Sequence, residues 1–183
     1  LEKLGKIQPK DAEYVVPQGP LADRFRNVGI EPQTILGERM FIGTGSFGQD
    51  IEAVQIDLVC GAKVGALGEA WAYQLTYPRH GFEALTTILE PNLAVRPSTL
   101  IVPTNELRDL RQANMIYGPV QNAVAKAIVT KLDEGIVPRE FMHSHLALVL
   151  ATVHPQALDR QRLHRNAQHA TSIAIENAFV EAS

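Results

Sequence analysis

Alternating apolar and polar positions predict that a folded domain, residues 37–183, follows a first segment without periodicity. Residues 1–36 contain four prolines and three glycines, which interrupt every short apolar run. We therefore predict an N-terminal arm over 1–36. Such an arm is either a loosely ordered tail or a segment that lies across a neighbouring surface, and the apolar residues within 21–30 would allow such docking.

From residue 40 the pattern becomes that of strands and helices. Residues 40–43 form one predicted strand. Residues 54–60 form a second, whose strict alternation places Gln55 and Asp57 on the same face. Apolar residues then recur at helical spacing, and this predicted helix ends before Pro78.

The second half of the chain alternates between further strands and helices. Strands are predicted at 84–89, 98–102 and 146–153, and helices at 105–117, at 119–134 and after Pro155. We expect Gly118 and Pro119 to separate the first two of these helices. The order of elements predicts an α+β two-layer sandwich, in which helices cover one face of a mixed sheet.

A glycine-rich stretch after the first strand matches a dinucleotide-binding motif by its letters alone. Gly43, Gly45 and Gly48 have the spacing G-x-G-x-x-G. That motif must open a helix, whose first amides bind a pyrophosphate, but the residues that follow here alternate as a strand. A glycine hairpin is the better interpretation.

Composition and charge exclude several classes of partner. The net charge is −3 and the basic residues are scattered among acidic ones, so no nucleic acid partner is expected. No apolar run is long enough to span a membrane, and the first residues, LEKLGKIQPKDAEY, have neither an apolar nor an Arg-rich leader pattern. The one cysteine, Cys60, suits a reducing compartment, so we expect a cytoplasmic protein. Because the chain begins with Leu1, its N-terminus is open to trimming.

The histidines do not form a predicted metal site. His143 and His145 lie on one strand face without a carboxylate or a third histidine at a supporting spacing. His164 and His169 are five residues apart on a helix and point in different directions. A histidine at the end of an element, as at His154, is more often structural than catalytic.

Six unusual segments resemble those of the formaldehyde-activating enzymes. They read QIDLVCG, HGFEAL, LEPNLAVRPSTLIV, RQANMIYGPVQNAVAKA, EGIVP and VHPQA, and their spacings agree without insertion from residue 55 to about 179. The resemblance implies a fold like the second domain of ribosomal protein S5 and a homopentamer with active sites between subunits. It also implies a lyase of one-carbon metabolism, which condenses formaldehyde with tetrahydromethanopterin to the methylene derivative and water, without a metal.

The resemblance fails at the residue that matters most for the chemistry. In the family that the chain resembles, the proton donor is a histidine in an H-I-D triplet. In this sequence Gln55 occupies that position. A glutamine amide donates hydrogen bonds but gives up no proton near neutral pH. The family's other substrate-binding positions fall on five residues, which are Asp57, Thr86, Thr104, Glu106 and Gln121.

These substitutions leave two functional hypotheses. Of the inherited positions only Asp57 and Gln121 keep the residue type of the family. Thr104 replaces a lysine and Glu106 replaces a threonine, which lowers the local formal charge. The first hypothesis is a divergent carbon–nitrogen lyase, in which Asp57 or Glu106 is the acid, provided that burial or a like charge raises its pKa. The alternative is a non-catalytic homologue that binds or senses a pterin or formaldehyde.

Overall fold

The computed structural model describes residues 20–27 and 40–180 of the chain. Most of the predicted arm, residues 1–19 and 28–36, lies outside the described residues. The described elements, in chain order, are α1 (Pro20–Asn27), β1 (Phe41–Phe47), β2 (Val54–Ala62), α2 (Ala66–Thr76), β3 (Leu85–Thr86), β4 (Ile88–Glu90), β5 (Leu93–Ala94), β6 (Ser98–Pro103), α3 (Leu110–Met115), α4 (Gln121–Asp133), α5 (Phe141–Ser144), β7 (His145–Val153) and α6 (Arg160–Phe179).

Five strands form one mixed sheet in the order β1-β2-β7-β6-β3. The β6–β7 pair is parallel and the other pairs are antiparallel. Helices α4 and α6 cover one face, where the larger apolar core includes Ile56, Val149 and Leu163. The α+β two-layer sandwich is therefore confirmed.

The interpretation of the glycines as a hairpin is wrong at two of the three positions. Gly43 and Gly45 lie inside β1, and a Cβ on them would approach the carbonyl oxygens of Ala174 and Ala170 in α6 to 2.0 and 2.1 Å. Their missing side chains let the backbones of strand and helix pack directly. Only Gly48, with φ +95°, lies at the turn after β1.

The predicted break between two helices is also wrong. The chain continues from α3 into α4 through a π-helical turn over Ile116–Val120, which contains Pro119 without interrupting the helical path. The first of these helices begins later than predicted because Asp109 caps it, accepting a hydrogen bond from the backbone N–H of Gln112 at 2.8 Å. Asn105, where the predicted helix begins, lies outside the helix and donates its side-chain amide to the Val153 carbonyl at 2.9 Å.

A smaller apolar cluster lies on the opposite face of the sheet. It joins Phe25 of α1 and Leu67 of α2 to Val59, Leu100 and Leu148 of the strands. Phe25 is completely buried, so the described part of the arm packs on this domain. No helix within 20–27 or 40–180 has the length and apolar character needed to cross a membrane.

Candidate functional site

Four polar side chains form a row across one end of the sheet, on the face turned away from α4 and α6. Strand register makes Gln55 the partner of Ser46 on β1 and of Thr152 on β7. Thr104 follows β6, and its Oγ1 lies 2.7 Å from that of Thr152. We call Ser46, Gln55, Thr152 and Thr104 the polar row.

Asp57 lies one pair of residues further along β2, beside the polar row. Its side chain is 0% exposed, and Oδ1 accepts a hydrogen bond of 2.7 Å from Thr44, its partner on β1. The Gln55 amide donates a longer bond of 3.4 Å to the same oxygen. Gln55 therefore has one amide proton directed to Asp57 and a second one available.

Arg24 of the arm neutralises the second oxygen of Asp57. Its Nη1 lies 3.1 Å from Oδ2, but the two groups are not aligned for a hydrogen bond, so the contact acts through charge. Burial raises the pKa of Asp57, while the Thr44 hydrogen bond and the Arg24 charge lower it. The desolvation effect is the largest, which keeps this carboxyl closer to its protonated form than an exposed aspartate.

The polar row opens onto a cleft of about 470 Å³ at this end of the sheet. Its walls include Ser46, Gln55 and Thr152, together with Asn105 and His154. This volume lies within the range of small-molecule sites, about 300–1,000 Å³. The cleft is therefore large enough to admit an organic co-substrate to the polar row.

Glu106 occupies a different setting from Asp57. It is exposed, its Oε2 lies 3.1 Å from Nε of Arg108, and it lines a narrow pocket of about 20 Å³ that shares Asn105 and His154 with the cleft. The groups that shift the pKa of Asp57 are Thr44 and Arg24, besides burial. Of these two carboxyl groups, only Glu106 lines one of the two pockets, and it is not among the groups that shift the pKa of Asp57.

The two remaining predicted residues lie apart from the polar row. Gln121, which is buried, donates its amide to the Ile88 carbonyl at 2.6 Å and so ties α4 to β4. Thr86 pairs with Leu100 near the far edge of the sheet. Within one chain, Gln55, Asp57 and Thr104 come together, whereas Thr86 and Gln121 make contacts elsewhere.

Sequence reasoning missed four side chains of this region, namely Arg24, Thr44, Ser46 and Thr152, and it set His154 aside as structural. The hairpin interpretation hid two of them, because a strand continued through Phe47 would have placed Thr44 and Ser46 opposite Asp57 and Gln55. Thr152 is the one polar residue of the predicted strand 146–153. No local pattern connects Arg24 to Asp57, which is 33 positions away.

The other candidate groups show no catalytic arrangement. Cys60 is buried on the helix side of β2, and burial raises the pKa of its thiol to about 12. His145 stacks on Phe141 with ring centroids 3.5 Å apart, and His164 contacts Asn122. Within the described ranges, no three His, Cys, Asp or Glu side chains gather as ligands for a metal ion.

Comparison with known proteins places these residues in a family. The sequence pattern of the formaldehyde-activating enzymes (Fae) matches residues 41–182. The "Bifunctional enzyme Fae/Hps" of Methanococcoides burtonii is 36% identical over 140 residues, which are 76% of this chain and 35% of that protein. The protein of the same name from Methanothrix thermoacetophila is 38% identical over 138 residues, 75% of this chain and 35% of its own length. The chain thus spans about a third of the length of these curated relatives.

Proposed function

Because the chain belongs to the formaldehyde-activating enzyme family, we propose that it condenses formaldehyde with tetrahydromethanopterin, or a related tetrahydropterin, to the methylene derivative and water. The observation that carries this proposal is the position of Gln55 and Asp57, from the family segment QIDLVCG, in and beside the wall of an open cleft. The cleft would hold the reacting end of the pterin against the polar row.

The reaction needs a source of one proton. An amine of the pterin adds to formaldehyde, and the resulting carbinolamine takes up a proton and loses its hydroxyl group as water. The second amine then closes the methylene bridge and releases its proton back to the donor. Gln55 can orient the intermediate but cannot supply the proton. The carboxyl of Asp57 is the better proton donor, since burial raises its pKa, and Glu106 at the adjoining pocket is the other.

The site of this proposed reaction would be completed by a second copy of the chain. Gln121 and Thr86 do not reach the polar row of their own chain. In a homopentamer with sites between subunits, the neighbour would present them to the cleft. Of the inherited positions, Thr104, Glu106 and the neighbour's Thr86 and Gln121 would then surround one substrate, with Asp57 buried behind Gln55.

A non-catalytic protein that binds a pterin or formaldehyde is the second candidate. The observation that favours it is that each inherited carboxylate already has a cationic partner, Arg24 for Asp57 and Arg108 for Glu106. An ion pair favours the ionised carboxylate, which has no proton to give to the carbinolamine. The polar row would still offer hydrogen bonds to a ligand.

Binding and turnover measured in parallel separate the two candidates. The full chain is titrated with tetrahydromethanopterin, and formaldehyde consumption is followed above the uncatalysed condensation. Turnover supports the enzyme, with a low rate because a general acid contributes about 10²- to 10⁴-fold and its usual residue is absent. Tight binding without turnover supports the second candidate. If the protein shows neither binding nor turnover, both candidates lose their support.

A further inference from the structure

We propose that the neutral imidazole of His154 donates a hydrogen bond from Nε2 to the formaldehyde oxygen while the pterin amine attacks the carbonyl carbon. This inference rests on the function proposed above and assigns a further residue to that reaction. It is carried by the position of the ring in the cleft wall and by the hydrogen bond that its other nitrogen makes.

The position of His154 brings an imidazole to the polar row. His154 directly follows β7, two residues after Thr152, and lines the same cleft as Gln55. Of the histidines that the structure describes, His154 alone is among the residues of the cleft wall. Its side chain is exposed, so a small molecule in the cleft has access to it.

The hydrogen bond of the ring selects one tautomer. Nδ1 of His154 accepts a hydrogen bond of 3.1 Å from the backbone amide of Gln156. A nitrogen that accepts a bond carries no proton, so the neutral ring has its proton on Nε2. The imidazolium form would place a second proton against the Gln156 amide and lose this bond. The geometry therefore favours a neutral donor over a proton-transferring acid.

Two neutral donors then border the cleft. Gln55 directs one amide proton to Asp57, which leaves its second N–H for a ligand, and His154 offers Nε2–H. Donors fixed before the reaction stabilise charge that develops on a carbonyl oxygen, because they need no reorganisation. Both donors derive their orientation from a second hydrogen bond within the protein.

The proposed step balances as follows. The amine nitrogen forms a bond to the formaldehyde carbon, the C=O π electrons move onto oxygen, and the hydrogen bonds from His154 and Gln55 stabilise the charge. The ammonium proton passes to that oxygen and gives the carbinolamine. In the next step the C–O bond breaks and the hydroxyl group takes a proton from a carboxyl to leave as water, so His154 keeps its proton throughout.

Two substitutions at one position distinguish a hydrogen bond donor from a proton-transferring acid. His154→Gln keeps an N–H near the place of Nε2, whereas His154→Leu removes it. We expect kcat/KM for formaldehyde to fall at least about tenfold in His154→Leu and to stay within about threefold in His154→Gln, below the 10²- to 10³-fold loss seen in closed oxyanion sites because this cleft is open. His80, with a side chain 98% exposed and outside the cleft, gives the matched controls His80→Leu and His80→Gln.

Each result decides the proposal. Equal losses in both His154 variants would overturn it in favour of proton transfer, and no loss in either would exclude the residue from the reaction. A wild-type protein without turnover would instead refute the enzymatic function and this inference with it. Nitrogen NMR of the wild-type ring gives a reading independent of activity: a proton on Nε2 is expected, and a proton on Nδ1 would overturn the proposal.

Discussion

Gln55 and Asp57 share a strand face, yet their surroundings give them different chemistry. Gln55 lines the cleft, whereas Asp57 is buried beneath Thr44 and Arg24. The alternation of the sequence was enough to place both side chains on one face. It was not enough to place Arg24 on the carboxylate, because that contact depends on how the arm packs.

Restoring an imidazole at position 55 tests the inherited chemistry. The Cβ atoms of residues 55 and 57 are about 6 to 7 Å apart by strand rise, so Gln55→His would place its ring beside Asp57. The carboxylate favours the imidazolium, which supplies the missing proton. We expect formaldehyde consumption with tetrahydromethanopterin to rise at least about tenfold.

The control for this substitution is Gln55→Asn, which keeps an amide and should give no gain. Adding Glu106→Thr to Gln55→His should raise the rate further, because it removes a charge foreign to the family. If neither histidine variant gains activity while both remain folded, the lyase should be abandoned in favour of the binding protein.

Removing the charge of Arg24 should make stability more dependent on pH. Arg24→Met leaves Asp57 buried beside no guanidinium, so the pKa of Asp57, already raised by burial, rises further. A raised aspartate pKa means that the folded state holds its proton more tightly, so stability declines as pH rises from the usual carboxyl range through the folded pKa. Below that window the carboxyl is protonated in both states and the added penalty is absent.

Urea unfolding at pH 5 and pH 8 measures this effect. We expect Arg24→Met to lower the free energy of unfolding by about 2 kcal/mol at pH 8 and by less at pH 5. Breaking a fully buried ion pair costs roughly 3–5 kcal/mol, and the effect here is smaller because Arg24 is 24% exposed. The double variant Arg24→Met with Asp57→Asn leaves no unpaired buried carboxylate and serves as the control. A loss that is equal at both pH values in the single variant would show that Arg24 contributes by packing alone.

At the scale of elements, the sequence predicted strands and helices best where one strong pattern acts alone. The alternation of β2, the apolar run of β7 and the stripe of α4 are all observed. The predictions were wrong where contacts between distant elements, and not the local sequence, determine the backbone conformation. Gly43 and Gly45 signal a turn locally, but contact with α6 makes them strand residues, and Pro119 is accommodated by a π turn.

The contact between β1 and α6 predicts that one methyl group added at Gly43 lowers the stability of the fold strongly. In Gly43→Ala the new Cβ would lie 2.0 Å from the Ala174 carbonyl oxygen, so the helix must move away from the strand. We expect the free energy of unfolding to fall by about 3 kcal/mol, or the variant to fail to fold. Gly135→Ala is the matched control, because it meets no atom within 4 Å and strains only a φ of +77°, at about 1 kcal/mol.

Urea midpoints of the two glycine variants give the comparison. A similar small loss in both would mean that α6 shifts freely on the sheet. Such freedom would contradict the direct backbone packing described for β1.

At the scale of the whole molecule, the site was predictable only in part. Gln55, Asp57 and Thr104 meet on one sheet face, which follows from alternation and strand order. Thr86 and Gln121 remain distant from the polar row, and no pattern within one chain can show what a second copy contributes. His154 was set aside as structural, because a residue just after a strand has no periodic signal that would place its side chain in the cleft.

The separation of these residues leads to a prediction of the assembly. If neighbouring chains complete the cleft, the protein should form a closed ring, a pentamer by family resemblance. Light scattering at micromolar concentration should give five times the mass of the chain. A monomer with full activity would show that Thr86 and Gln121 do not act at the cleft.

The labelling rate of the buried thiol on β2 can also report ligand binding to the folded protein. Cys60 is the one sulfhydryl of the chain, and with a pKa of about 12 in the folded state it reacts with an alkylating reagent only when the sheet opens. A compound that binds the folded protein suppresses opening, so at 100 times its Kd it should slow labelling about a hundredfold. Mass spectrometry of labelling can therefore rank pterins without any turnover, and a compound that leaves the rate unchanged does not stabilise the folded state against this opening.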